Sequence, residues 1–143
     1  MNENTVHILL VEDDEVSAEA VERAFRKARI ANPIHLTRDG IEALDKLRGN
    51  GVEPIPRPYI ILLDLNMPRM NGLEFLEELR SDPELKRSIV FVLTTSSADR
   101  DRLAAYDQFV AGYVVKSKVG DDFMNFISML DHYWRVVEFP PRD

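Results

Sequence analysis

Several residues of types that do chemistry each close a short apolar run. Glu12-Asp13-Asp14 follows Val6–Val11, Asp64 follows Tyr59–Leu63, Thr94 follows Ile89–Leu93, and Lys116 follows Gly112–Val115. Carboxylates gathered in one partly buried place raise one another's pKa unless a cation offsets them. Hard oxygen donors with no His or Cys beside them suit Mg²⁺, which keeps several waters and needs only a few protein oxygens. Lys116 would add a fixed positive charge and Thr94 a hydroxyl donor. Acids, Mg²⁺, lysine and hydroxyl together describe a pocket for a phosphoryl group, whose transfer is catalysed mainly by positioning and charge neutralisation. A carboxylate can itself be the nucleophile, forming an aspartyl phosphate.

Taken singly, each residue has an ordinary explanation. An Asp after a strand is a turn former or helix cap, and acids at 13 and 14 suit a helix N-terminus. Asp14 is assigned to that solvated role. A lone Thr94 reads as a strand residue and a lone Lys116 as a surface charge. The chemical reading depends on all of them arriving at one end of one sheet.

The elements that would bring them there can be read from the hydrophobic pattern. Val6–Val11 is a compact apolar run, as expected of a strand buried on both faces. A helical stripe follows, with Val16, Ala20, Ala24 and Ala28 beside Val21 and Phe25. Ile34–Thr37 is a short second strand, and Asp39 with Glu42 predicts a capped helix through Leu47. Gly49–Pro58 is a loop that its alternating prolines should hold extended. Tyr59–Leu63 is the third strand; Asn71 caps a helix carrying Leu73, Leu76 and Leu79. Ile89–Leu93 is the fourth strand, followed by a helix expected to turn Leu103, Tyr106 and Val110 inward. Gly112–Val115 is the fifth strand, and the last helix shows Phe123, Phe126, Ile127, Leu130 and Trp134. Strands alternating with helices demand right-handed crossovers and a parallel sheet covered on both faces. The fold class is therefore α/β, a three-layer doubly wound sandwich with five strands and five helices. Sites in such sheets lie at the carboxyl ends of the strands.

Composition narrows the function. The chain has 143 residues, 45% hydrophobic and 30% charged, with no cysteine and a formal net charge of −7. That length and balance fit one soluble domain. Disulfides and thiolate metal sites are excluded, and the acidic surface would repel a nucleic-acid backbone. The polar stretch Met1–Thr5 lacks the features of a secretory leader, and no run reaches the roughly 18 apolar residues of a membrane span. The expectation is a cytoplasmic protein with neither nucleic acid nor membrane as partner.

In combination, Leu-Val-Glu-Asp-Asp at 10–14, Leu-Asp-Leu-Asn-Met-Pro at 63–68 with Gly72, Leu-Thr-Thr-Ser at 93–96 and Tyr-Val-Val-Lys at 113–116 resemble the receiver domains of two-component response regulators. The similarity runs from about Val6 to Leu130. It implies a flavodoxin-like sheet in order 2-1-3-4-5 and a phosphoacceptor at Asp64. It also implies Asp13 as a direct Mg²⁺ ligand, Glu12 supporting the metal through water, and the Asn66 backbone carbonyl as a further ligand. Thr94 and Lys116 would hold the phosphoryl oxygens, and Tyr113 would change rotamer with the state of Thr94. Asn66 and Ser96 flank the pocket and should tune the lifetime of the phosphoryl group. The implied partner is a sensor histidine kinase, and the switch would catalyse only its own phosphorylation and dephosphorylation.

The resemblance departs from the common pattern at Ser117, where a proline in a cis peptide usually follows the lysine. A cis bond before a non-proline costs about 2.5–4 kcal/mol. The Pro-rich loop, the Lys-Ser pair and the apolar tail together are similar to single-domain receivers that serve phytochromes, so a bacteriophytochrome kinase is the expected partner. With 1–134 as the receiver, residues 135–143 form a tail, and its apolar residues with Trp134 predict a homodimer through the last helix and tail, the alternative being a tail folded back onto its own chain. No output domain follows, so the signal is expected to leave by protein–protein contact. Three rivals are weaker. An aspartyl-phosphate phosphatase needs a second Asp two residues after the nucleophile, where this chain has Asn66. A phosphorylation-independent scaffold would not require the Asp, Thr and Lys positions to be filled. A flavin nucleotide would meet anionic strand ends.

Overall fold

Strands and helices alternate through the chain in the computed structural model, which describes residues 5–116 and 124–141. The order is β1 (His7–Val11), α1 (Glu15–Lys27), β2 (Ile34–Thr37), α2 (Gly40–Arg48), β3 (Tyr59–Leu63), α3 (Gly72–Ser81), β4 (Ile89–Thr94), α4 (Asp99–Asp107), β5 (Gly112–Val115) and α5 (Met124–Val136). All strand pairs are parallel, and the sheet runs β2-β1-β3-β4-β5. Alternate residues of each strand face opposite layers. Leu9, Val11, Ile61, Leu63, Val90 and Val92 pack against α2, α3 and α4. Ile8, Leu10, Ile60, Leu62, Phe91 and Leu93 pack against α1 and α5. Burial on both faces explains why these strands are continuous apolar runs rather than alternating ones.

The register sets up the site. Val11 pairs with Leu63, and Leu63 with Val92, so the residues just beyond those pairs, Glu12, Asp64 and Leu93, emerge at one sheet edge. The backbone carries this alignment past the strand ends: the Asp64 N–H donates to the Val11 carbonyl at 3.0 Å, and the Glu12 N–H to Thr37 at 2.9 Å.

Helix starts follow the capping residues. Asp14 accepts the Val16 N–H, Asp39 the Glu42 N–H, and Asn71 the Glu74 N–H. A reciprocal box closes at α3, where Glu74 returns to the Asn71 N–H at 3.0 Å. The box expected at α2 does not close: Glu42 takes the Arg38 N–H instead, at 3.3 Å. Gly72 is required by contact rather than conformation. A Cβ there would lie 2.6 Å from the Asp64 carbonyl oxygen and 2.7 Å from the Leu65 Cα.

Two expected apolar faces are corrected. In α1, Val21, Ala24 and Phe25 of the expected stripe are buried and Ala18 joins them, but Val16 is 75% exposed. Leu103 and Tyr106 are also exposed, at 65% and 47%. The buried residue of α4 is Ala105, and at about 100° per residue Leu103 lies roughly 200° around the helix from it. Val110 is buried, but beyond the end of the helix. Phe123 lies outside the described residues.

Arg80, on α3, joins segments that no pattern connects. Its Nε donates to the Gln108 carbonyl at 2.7 Å, Nη1 to Lys86 and Ser88 at 2.7 and 2.8 Å, and Nη2 to Phe109 at 3.0 Å. The guanidinium thus satisfies carbonyls on both the turn before β4 and the segment after α4.

The last helix continues past residue 135 to Val136, and the chain beyond it returns to its own core. Tyr133 meets Phe91 edge-on with ring centroids 5.0 Å apart, Trp134 lies against Phe25 at 6.2 Å, and Phe139 packs on the same cluster. Val136 remains 79% exposed. Among the described residues no helix is long and apolar enough to cross a membrane.

Candidate functional site

Side-chain oxygens of Glu12, Asp13 and Asp64 lie within 4.8 Å of one another at the carboxyl edge of the sheet. Glu12 and Asp64 are only 4% and 6% exposed, whereas Asp13 opens to solvent. Glu12 and Asp64 directly follow buried strands and Asp13 comes one residue later, so the backbone ladder fixes their origin before any side-chain contact forms. Lys116, from the end of β5, reaches across the sheet to an ion pair with Glu12 Oε1. Thr94, at the end of β4, is fully buried. Its Oγ1 accepts the Ser96 N–H at 3.4 Å. The expected acids and lysine therefore converge, and Thr94 closes β4, the strand beside that of Asp64.

Asp14 is kept out of the cluster as the cap of α1. Its Oδ2 accepts the Ser17 hydroxyl at 2.8 Å, and that bond, with the Val16 N–H, holds its carboxyl below the usual range. Asn66 leans on Asp64, its N–H 3.4 Å from Oδ1. Tyr113 donates its hydroxyl to the Ser96 carbonyl at 2.9 Å, which ties the aromatic to the loop that begins at Thr94. Ser96 in turn donates to Asp101 Oδ2 at 2.6 Å. The part of Asp101 went unseen in the sequence because an acid in the first turn of a helix looks like any other. The Lys116–Ser117 peptide lies outside the described residues.

Burial pushes the Glu12 carboxyl up to about 7; the Asp64 charge adds to the rise, and the ammonium of Lys116 opposes it. Glu12 thus binds its proton more tightly folded than unfolded, where the ordinary value is 4.5. Between those values folding takes up a proton, so stability falls as pH rises through the window. At about 1.4 kcal/mol per pH unit the loss is on the order of 3 kcal/mol. Melts in chelator should show wild-type Tm declining from pH 5 to 7.5 and Glu12→Gln staying flat. A parallel decline in both proteins would place its cause elsewhere.

The donor set tests the fit to a metal. It holds only carboxylate oxygens, with no nitrogen or sulfur ligand among the grouped residues. Such a set fits a hard divalent cation, and two buried acids facing an exposed third give the site more negative charge than one lysine can neutralise. A cleft of about 630 Å³ adjoins it, lined by Asp13, Asn66, Met67 and Arg100 among others. A separate cavity of about 230 Å³ sits at the far end of the sheet, between Tyr59, Ile89 and the returning Phe139. None of the acids lines it, so the chemistry belongs to the cleft.

The model of the response regulator receiver domain matches residues 8–128, which contain every element of this site. The chain belongs to that family. Among known proteins the receiver is similar to the response regulator Rcp1 of a Synechocystis species, 38% identical over 128 residues that span 89% of this chain and 87% of that protein. The Mn²⁺-bound structure of Rcp1 overlays with a TM-score of 0.82 at 36% identity, covering 96% of this chain and 99% of the other. The phosphorylated cyanobacterial phytochrome response regulator RcpA overlays at 0.79 with 33% identity, covering 94% and 98%. The expected family and strand order both stand.

Proposed function

We propose that this receiver accepts a phosphoryl group from a histidine kinase onto Asp64 in a Mg²⁺-dependent reaction, and passes the signal on by protein–protein contact. The observation that carries the reading is the convergence of Glu12, Asp13 and Asp64 within 4.8 Å, with Lys116 ion-paired to Glu12. Asp13 and Asp64, supported by Glu12 and the Asn66 carbonyl, would hold Mg²⁺, which supplies charge neutralisation between the acids and the incoming phosphoryl group.

An Asp64 carboxylate oxygen attacks phosphorus, a P–O bond forms, the P–N bond of phosphohistidine breaks, and its electron pair returns to the imidazole nitrogen. Lys116, which rests on Glu12, and the Thr94 hydroxyl at the end of the neighbouring strand would meet the new dianion. Movement of Thr94 would act on Ser96 and so on Tyr113, which holds the Ser96 carbonyl. This is a local charge event read by a bistable surface. Water attacking phosphorus with Asp64 as leaving group resets the switch, so no other substrate is turned over.

Incubation with acetyl phosphate and Mg²⁺ should add one phosphoryl group that hydroxylamine removes, as it does from acyl phosphates. A chelator should prevent the addition. A hydroxylamine-stable label, or labelling that ignores the chelator, would defeat the reading.

Likeness to the phytochrome response regulator RcpA supports a phytochrome-type kinase as the donor. A homodimer through α5 and the tail is supported by Met129 and Val136, seven residues apart on one helical face and 39% and 79% exposed. Sedimentation at tens of micromolar should give a dimer, and Val136→Asp a monomer; a wild-type monomer would remove the dimer from the proposal.

A further inference from the structure

Asn66 sits on the loop between β3 and α3, and the structure shows that loop fastened at its far end to α2. Arg69 Nε donates to Asp39 Oδ2 at 2.6 Å, and the same guanidinium comes within 3.8 Å of Glu42. Asp39 is almost wholly buried, with its side chain 4% exposed, while its other oxygen caps α2 on the Glu42 N–H at 2.9 Å. A second fastening lies beside it: the Gly40 N–H donates to the Met70 carbonyl at 3.2 Å, and a Cβ at Gly40 would come within 2.7 Å of Met70. Arg69 itself has φ of +61°, a left-handed conformation that a non-glycine residue holds when its surroundings over-determine it.

Resting on the receiver reading above, we propose that Arg69 and Asp39 are positioning residues for the phosphoacceptor site: their ion pair holds the β3–α3 loop so that Asn66 stays against Asp64. The pair touches neither the acceptor nor the acid cluster. Its effect passes along the short backbone from Arg69 to Asn66, whose N–H already meets Asp64 Oδ1 at 3.4 Å.

The sign of the Arg69 effect separates this role from simple charge. Deleting a cation near an acidic pocket should tighten Mg²⁺ binding through the field alone, whereas deleting a latch should weaken it. Outer residues that orient metal ligands typically change affinity by about 10–100-fold.

In calorimetric Mg²⁺ titrations of the full chain, Arg69→Ala should bind roughly ten-fold more weakly than wild type, and Arg69→Lys should recover part of the loss. Asp39→Asn should weaken binding too, although Asn keeps the helix cap, and the double variant should be no worse than the weaker single. Hydrogen exchange without metal should show faster exchange at the Gly40 and Gly72 amides in Arg69→Ala. Equal or tighter Mg²⁺ binding by Arg69→Ala overturns the positioning role while leaving the site reading intact. A wild type that takes up no Mg²⁺ overturns the site reading and this role with it.

Discussion

Asp64→Asn should lose phosphoryl incorporation from acetyl phosphate by about 10³-fold or more, the scale seen when a nucleophile is removed. The amide has nearly the same shape but cannot become an acyl phosphate. Folding should survive the change: Asp64 follows β3, whose side chains are buried on both faces, and its N–H bond to Val11 is a backbone contact. Removing one of three crowded carboxylates also relieves repulsion, so Tm should hold or rise. Asp13→Asn and Glu12→Gln should behave differently, keeping the nucleophile and losing Mg²⁺ affinity, so that higher Mg²⁺ restores part of the rate. Mass spectrometry of the labelled peptide decides the matter. Undiminished label in Asp64→Asn, or label carried by another acid in wild type, would reassign the acceptor.

The second large effect falls on stability. Arg80→Ala leaves the carbonyls of Lys86, Ser88, Gln108 and Phe109 without their shared donor. With about 1 kcal/mol net for each bond, partly recovered by water at the exposed pair, the expected loss is about 3 kcal/mol. In a domain of this size that should lower Tm by roughly 10 °C. Arg80→Lys should recover little, since an ammonium cannot span carbonyls on two segments as a planar fork does. Denaturant melts of the three proteins test this, and a change under about 1 kcal/mol in Arg80→Ala would mean that water replaces the fork.

What could be read in advance follows from which signals are local. The bounds of β2, β3 and β5 are those read from sequence: β3 is buried on both faces, apolar throughout and stops at the first polar residue, whereas the half-buried edge strand β2 was marked by Pro33 before it and the Asp39 cap after it. Glu12, Asp13, Asp64, Thr94 and Lys116 were found for the same reason: the sheet delivers strand ends to one edge whatever the helices do. The inner face of α4 was misread because that helix rests on Ala105, and a small residue leaves no stripe while Leu103 and Tyr106 imitate one. Arg69 and Arg80 gave no warning at all. One pairs with an acid 30 positions away, and the other binds backbone carbonyls, which every residue type carries.

The chain has a single tryptophan, and its tilted ring contact with Phe25 gives the molecule an optical probe with a defined field of view. In this sheet α1 and α5 run opposite to the strands, so Phe25 and Trp134, both late in their helices, lie towards the edge where the strands begin. Emission from Trp134 should therefore respond when the two helices part during unfolding and stay silent when the acids at the other edge take up a cation. Fluorescence can follow the melts, while Mg²⁺ uptake must be followed by heat or by amide resonances.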